Sequence, residues 1–152
     1  MSIAASAFSA GWTRPKPVKL YATYCSADKE IATGDLPAIE RYVSARIRAV
    51  HSAAEVAGAR FGILSGLYGL IGPDHPLPHY DHLLQLSEMK ERTVGVEAVL
   101  REWDIDEIHW YTVAFEMDAN VGRYRKVMEQ AAARANAAVE LVLWDPSNTV
   151  RI

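Results

Sequence analysis

The sequence predicts an α/β fold: a single three-layer domain with a mainly parallel sheet of about four strands and helices on both faces. Three observations predict it. Apolar residues recur with period two in short segments and with period three to four in the longer stretches between them, so strands and helices alternate as β-α-β-α-β-α-β. The 152-residue chain is 50% hydrophobic and 23% charged, a composition that can bury one domain's core. No internal repeat, low-complexity tract or second domain interrupts the pattern.

Residues 1–17 read as a flexible leader, because Pro15 and Pro17 hold the backbone extended and block a helix. Residues 18–152 read as the domain. The first strand is 18–24, where Val18, Leu20, Ala22 and Tyr24 share one face. Residues 35–57 read as one helix, with Leu36, Ile39, Val43, Ile47, Val50, Ala54 and Ala57 on a stripe. Pro37 is tolerated in its first turn, and Gly58 is placed to stop it.

The second strand is 61–65. Residues 83–103 read as a second helix through Leu83, Leu86, Met89, Val96, Val99, Leu100 and Trp103, weakened in its middle by Gly95. The third strand, 108–113, is rich in aromatic and β-branched residues. Asn120 is placed to cap a third helix that buries Val121, Tyr124, Met128, Ala131 and Ala135. The fourth strand, 139–144, is stopped by Asp145-Pro146.

Composition narrows the function classes. The single cysteine, Cys25, excludes an internal disulfide and a thiolate zinc cage. A net charge of −3 provides no global basic field of the kind that holds duplex DNA. Arg41, Arg46, Arg48 and Arg60 are the candidates for a local basic face, or for an ordinary solvated one. No apolar run approaches the roughly 20 residues that span a bilayer, and the N-terminus lacks a basic n-region. The expectation is a cytoplasmic protein with no membrane partner. The alanines at 131–133, 135, 137 and 138 suit a homodimer contact or ordinary helix–sheet packing.

In open parallel sheets, ligands lie beyond the carboxyl ends of the strands. Polar side chains gather after the first two strands. The loop after strand one offers Cys25, Ser26 and Lys29, a thiol and a hydroxyl near an ammonium that favours thiolate. The loop after strand two carries Ser65, Gly66, Tyr68, Gly69 and Gly72, whose glycines let a ligand approach the backbone. It is neither a P-loop nor a dinucleotide fingerprint. Tyr68 fits base stacking or core packing.

His75, His79 and His82 follow, but Pro76 and Pro78 keep one helical face from presenting them together. No metal and no cofactor is assigned. His79, Tyr80 and Asp81 fit the start of the following helix, where an aspartate is favourable. Tyr80 or Asp81 fits equally well in the cleft as proton donor or acceptor.

The run Leu64-Ser65-Gly66-Leu67-Tyr68-Gly69-Leu70-Ile71, then Pro73-Asp74, then Pro78-His79-Tyr80 resembles the core motif of the YaaA-type peroxide-stress proteins and related small bacterial and phage domains. Cys25-Ser26-Ala27-Asp28-Lys29 is similar to their Cys-Ser-x-x-Lys, and Tyr80-Asp81-His82-Leu83-Leu84 to their Tyr-Asp-x-x-Leu. Tyr42-Val43-Ser44 is similar to a Tyr-x-Ser, and Tyr124 to a late tyrosine. A fainter similarity, through Cys25 and Lys29, is to the core of archaeosine synthase, which modifies a deazaguanine base in tRNA.

The resemblance implies nucleobase or nucleic-acid chemistry. The leading expectation is an enzyme that acts on a nucleobase, nucleoside or nucleotide by glycosidic cleavage or transfer. In it, Ser65 and the Gly66–Gly69 backbone bind the substrate and Tyr68 stacks on it. Asp81 is the general acid/base, assisted by Cys25 or Lys29, with Ser26 and Tyr80 among the binding groups. The alternatives are a nucleic-acid-binding stress-response protein without catalysis, and a non-catalytic small-ligand or partner-binding domain.

Overall fold

Period-two apolar residues form the expected first strand, β1 (Lys19–Tyr24), in the computed structural model, which describes residues 16–146 and 149–151. Most of the expected leader, residues 1–15, lies outside the described residues. After β1 the chain runs through β2 (Leu36–Pro37), α1 (Ala38–Arg41), α2 (Ala45–Ala57), β3 (Arg60–Ser65), β4 (Gly69–Ile71) and β5 (Pro76–Leu77). A 3₁₀ turn, Leu86–Glu88, leads into α3 (Met89–Glu102). Then come β6 (Glu107–Thr112), α4 (Val121–Arg134), β7 (Ala138–Trp144) and β8 (Thr149–Arg151).

The main sheet has the order β4-β3-β1-β6-β7-β8. Its centre, β3-β1-β6-β7, is parallel, and an antiparallel strand closes each edge. The α/β class with a mainly parallel sheet is as expected, and the sheet has six strands rather than about four. The extra edge strands are three residues each, too short to show a period. β4 exists because the chain turns back at Gly69, whose φ of +77° suits glycine. A separate antiparallel pair joins β2 to β5.

Successive residues of β1 feed opposite faces. Leu20, Ala22 and Tyr24 join Leu64, Ile108 and Trp110 under α3 and α4, against Val96, Leu100, Val127 and Met128. Tyr21 joins Phe61, Ile63 and Tyr111 under α2, against Ile47, Val50 and Ala54. Ala131 and Ala132 are fully buried in the first cluster, so these two alanines serve close helix–sheet packing. His109 stacks on Tyr21 at 4.6 Å between ring centroids, and His51 meets Phe61 edge-on at 4.9 Å. No described helix is long and apolar enough to cross a membrane.

Three expectations about helices need correction. The segment 35–57 is not one helix. Pro37 is extended opposite Pro76, and the backbone leaves the helix at Tyr42, with φ −81° and ψ 130°. Tyr42 gains a place in the core, and the Ser44 hydroxyl restarts the helix by accepting from the Ile47 N–H. The second helix begins at Met89, not at residue 83, because Leu84 is drawn fully into the core along extended backbone. His79, Tyr80 and Asp81 therefore do not open a helix. Asn120 precedes α4 but makes no side-chain cap; the Asp118 carboxylate accepts from the Asn120 N–H instead, at 3.0 Å. Gly58 does end α2, in the left-handed conformation with φ +66°.

Gly95 lies inside α3 with nothing within 4 Å of where a Cβ would sit. Gly95→Ala removes backbone freedom from the unfolded chain without crowding the folded one. It is expected to add about 0.5–1 kcal/mol of stability. A urea midpoint that fails to rise would show that this turn of α3 needs a glycine.

Candidate functional site

The strand order places one crevice at the carboxyl ends. From β1 the chain passes to α2 on one face, and from β6 it passes to α4 on the other. The loops after these neighbouring strands diverge, and that is where open α/β sheets hold ligands. A cavity of about 150 Å³ lies there. Tyr24, Cys25, Ser26, Ala27 and Lys29 come to it from the first loop, Asp81, His82 and Leu83 from the segment after β5, and Asp118, Asn120, Val121 and Tyr124 from the start of α4.

The floor is built by hydrogen bonds from distant parts of the chain. The Tyr124 hydroxyl accepts from the Leu84 N–H at 3.1 Å and lies 3.7 Å from the Cys25 sulfur. The Cys25 N–H donates to the Leu64 carbonyl at 3.0 Å, which extends the β1–β3 pairing one residue into the loop. Gly66 packs beneath. A Cβ there would lie 2.8 Å from the Tyr124 hydroxyl, 2.9 Å from the His82 carbonyl and 2.9 Å from the Leu84 nitrogen. This position needs glycine for space, not for conformation.

Behind the cavity, Arg46 reaches through the core from α2. Its guanidinium donates to the Thr23 hydroxyl at 2.5 Å, the Tyr24 carbonyl at 2.7 Å and the Cys25 carbonyl at 3.1 Å. It also covers the Tyr24 ring at 3.5 Å. Burial lowers its pKa, opposed by Tyr24, Cys25 and Asp118. Arg41 is fully buried and donates to the carbonyls of Leu77, Glu30, Ala32 and Gly34. Neither arginine presents a cation to solvent. Of the four candidates for a basic face, only Arg48 and Arg60 are exposed, and Arg60 lies over the Trp103 ring at 4.0 Å.

Beside the cavity is a chain of hydroxyls. Ser65 Oγ lies 2.7 Å from the Tyr80 hydroxyl, which lies 2.5 Å from that of Tyr42. Ser65 also accepts from the N–H groups of Leu67 and Tyr68, at 3.2 and 3.0 Å. Burial pushes both tyrosines up, Tyr80 to about 12 and Tyr42 beyond it. Tyr124 is raised for the same reason. All three are protonated hydroxyls at neutral pH, donors and acceptors rather than bases. The Lys29 ammonium sits 4.6 Å from the Tyr80 ring centroid and 5.7 Å from that of Tyr42.

The structure thus brings Cys25, Ser26, Lys29 and Asp81 to one cavity. It places Ser65, Gly66 and Gly69 in the buried scaffold next to it. Tyr80 joins the hydroxyl chain, and Tyr68 packs edge-on against it at 5.1 Å between centroids, away from the cavity lining. Among the described residues no group of three or more His, Cys, Asp or Glu could hold a metal ion.

Sequence reasoning named Arg46 only as a candidate for a basic face and missed its buried role, and it missed Asp118 and the pairing of His82 with Glu88. Arg46 had a signal: it falls three residues after Val43 and four before Val50, inside the apolar stripe. Glu88 had a weak one, the three-residue spacing from Gln85 of a capping box without the usual serine or threonine, and Asp118 had none that pointed to the cavity. No family model, curated protein or solved structure matches the chain.

Proposed function

We propose that the cavity binds one heterocyclic ring, the base of a nucleoside or nucleotide, and that the domain cleaves or transfers the glycosidic bond to it. The observation that carries this reading is the cavity itself: about 150 Å³ at the divergence of the β1 and β6 loops, lined by a thiol, an ammonium and two carboxylates. A protein cavity of roughly that volume accommodates a benzene-sized ring. It is too small for a dinucleotide, and its open mouth leaves the sugar outside.

Within this reading Asp81, exposed on the rim, and Asp118 accept from ring or exocyclic N–H groups, as carboxylates do toward bases. Asp81 also activates the water that replaces the base. Lys29, held over the Tyr80 ring, offsets negative charge on a leaving group or phosphate. Cys25 and Tyr124 form the floor. The resemblance of the Cys-Ser-x-x-Lys and Leu-Ser-x-x-Tyr-Gly-Leu segments points the same way. A duplex-binding stress protein is the weaker reading, because the chain carries a net −3 and two of its four candidate arginines are buried.

A thermal-shift screen over nucleobases, nucleosides, nucleotides and short DNA tests this. A compound at 100 times its Kd should add roughly 2.7 kcal/mol of stability. Ala27→Trp, at an exposed position on the cavity wall, should abolish that shift, and Tyr68→Ala should leave it in place. A shift that survives Ala27→Trp, or one given only by DNA, would remove the cavity reading. A shift unaccompanied by base release from any nucleoside would leave a binding domain, not an enzyme.

A further inference from the structure

We propose that His82 is the proton donor of this cleft, set in position by Glu88. The proposal rests on the reading of the cavity as a nucleoside site and adds a residue to it.

His82 lines the cavity and its Nε2 lies 2.8 and 3.0 Å from the two oxygens of Glu88. Glu88 is fixed in turn. Its carboxylate accepts from the Gln85 N–H at 2.9 Å and lies 3.5 Å from the Arg92 guanidinium. Arg92 also donates to the Gly66 carbonyl at 2.9 Å, so the carboxylate is tied to the cavity floor. The backbone N–H and the imidazole hold Glu88 below the usual carboxylate range.

A carboxylate on Nε2 makes that nitrogen the N–H donor and leaves Nδ1 as the one that exchanges a proton with another group. A nucleophile or acid/base pair is recognised by such a third, orienting group. Asp81 has no such partner among the described residues, although it shares the cavity. Glycosidic cleavage needs two proton carriers, and Asp81 alone supplies one.

The step balances as follows. The base leaves with the electrons of the carbon–nitrogen bond and takes a proton from Nδ1 of the imidazolium. A water oxygen bonds to the sugar carbon and its proton passes to the Asp81 carboxylate. Exchange with solvent then returns both groups to their starting states. The charged and titratable groups that share the cavity with His82 are Lys29, Asp81, Asp118, Cys25, Tyr24 and Tyr124, with Glu88 on its Nε2 and Arg92 beyond Glu88.

The test is release of free base from adenosine, guanosine, inosine, cytidine, uridine and thymidine, followed by chromatography across pH 5–9. For a nucleoside that is cleaved, His82→Gln should lower kcat by about 10²-fold, in the range a general acid contributes, with KM little changed. It should also remove the alkaline fall of the wild-type profile. Glu88→Gln, which keeps an oxygen for the Gln85 N–H, should shift that limb, and Glu88→Asp should restore part of it. Cleavage by His82→Gln at the wild-type rate and profile would overturn the role of His82 and leave the cavity reading standing. No base release from any of the six by the wild-type protein would overturn the role of His82 together with glycosidic cleavage, while a thermal shift abolished by Ala27→Trp would still leave the cavity as a binding site.

Discussion

Gly66→Ala is expected to cost about 3 kcal/mol, the upper end for overpacking, because the methyl group has nowhere to go. It would meet three atoms at 2.8–2.9 Å, and two of these belong to the backbone of His82 and Leu84. A flexible side chain could rotate away, but backbone held by the Leu84–Tyr124 hydrogen bond could do so only by breaking it. Gly72 is the internal control, since nothing lies within 4 Å of its missing Cβ. Urea unfolding of the two alanine variants should differ by most of the 3 kcal/mol. Equal midpoints would mean that the segment over Gly66 is not packed as described.

Arg46→Met should be comparably severe. Methionine fills much of the volume but leaves the Tyr24 and Cys25 carbonyls without their donor in a nearly water-free place. Each hydrogen bond to a charged group contributes about 1.5–3 kcal/mol, and losing the set should cost about 3 kcal/mol or more. The loss is local as well as global, since these carbonyls shape the loop that carries Cys25. Cys25 should therefore react faster with a disulfide reagent in Arg46→Met under conditions where the variant is still folded. Unchanged stability and unchanged thiol reactivity would together refute the structural role of Arg46.

The elements that repeat were legible in the sequence, and those that depend on one contact were not. Leu20, Ala22 and Tyr24 share a face because a strand alternates, and the same logic located β3, β6 and β7. The break at Tyr42 was hidden because Leu36, Ile39, Val43 and Ile47 keep helical spacing straight through it. Only the pull of the Tyr80 hydroxyl and the Ser44 cap reveal two helices. The same holds for the segment 83–88, where burial of a single leucine, Leu84, overrides a plausible helical stripe.

The cavity wall was legible in part. Cys25, Ser26 and Lys29 follow from knowing where a parallel strand ends, whereas Asp81 fitted the cleft and a helix start equally well. His82 was considered only as a metal ligand, because its partner Glu88 lies six residues on, across a turn that no periodicity predicts.

The cleft is closed by Leu64 to Cys25, Gly66 to Leu84, and Leu84 to Tyr124, and the last of these joins residues 40 apart in sequence. Such contacts are made late, after long loops have closed at an entropic cost. The site therefore has no precursor in a half-folded chain, and no fragment lacking α4 would retain it. A compound that occupies it would act on the escape from the native state: it would slow unfolding in proportion to its occupancy and leave the folding rate untouched.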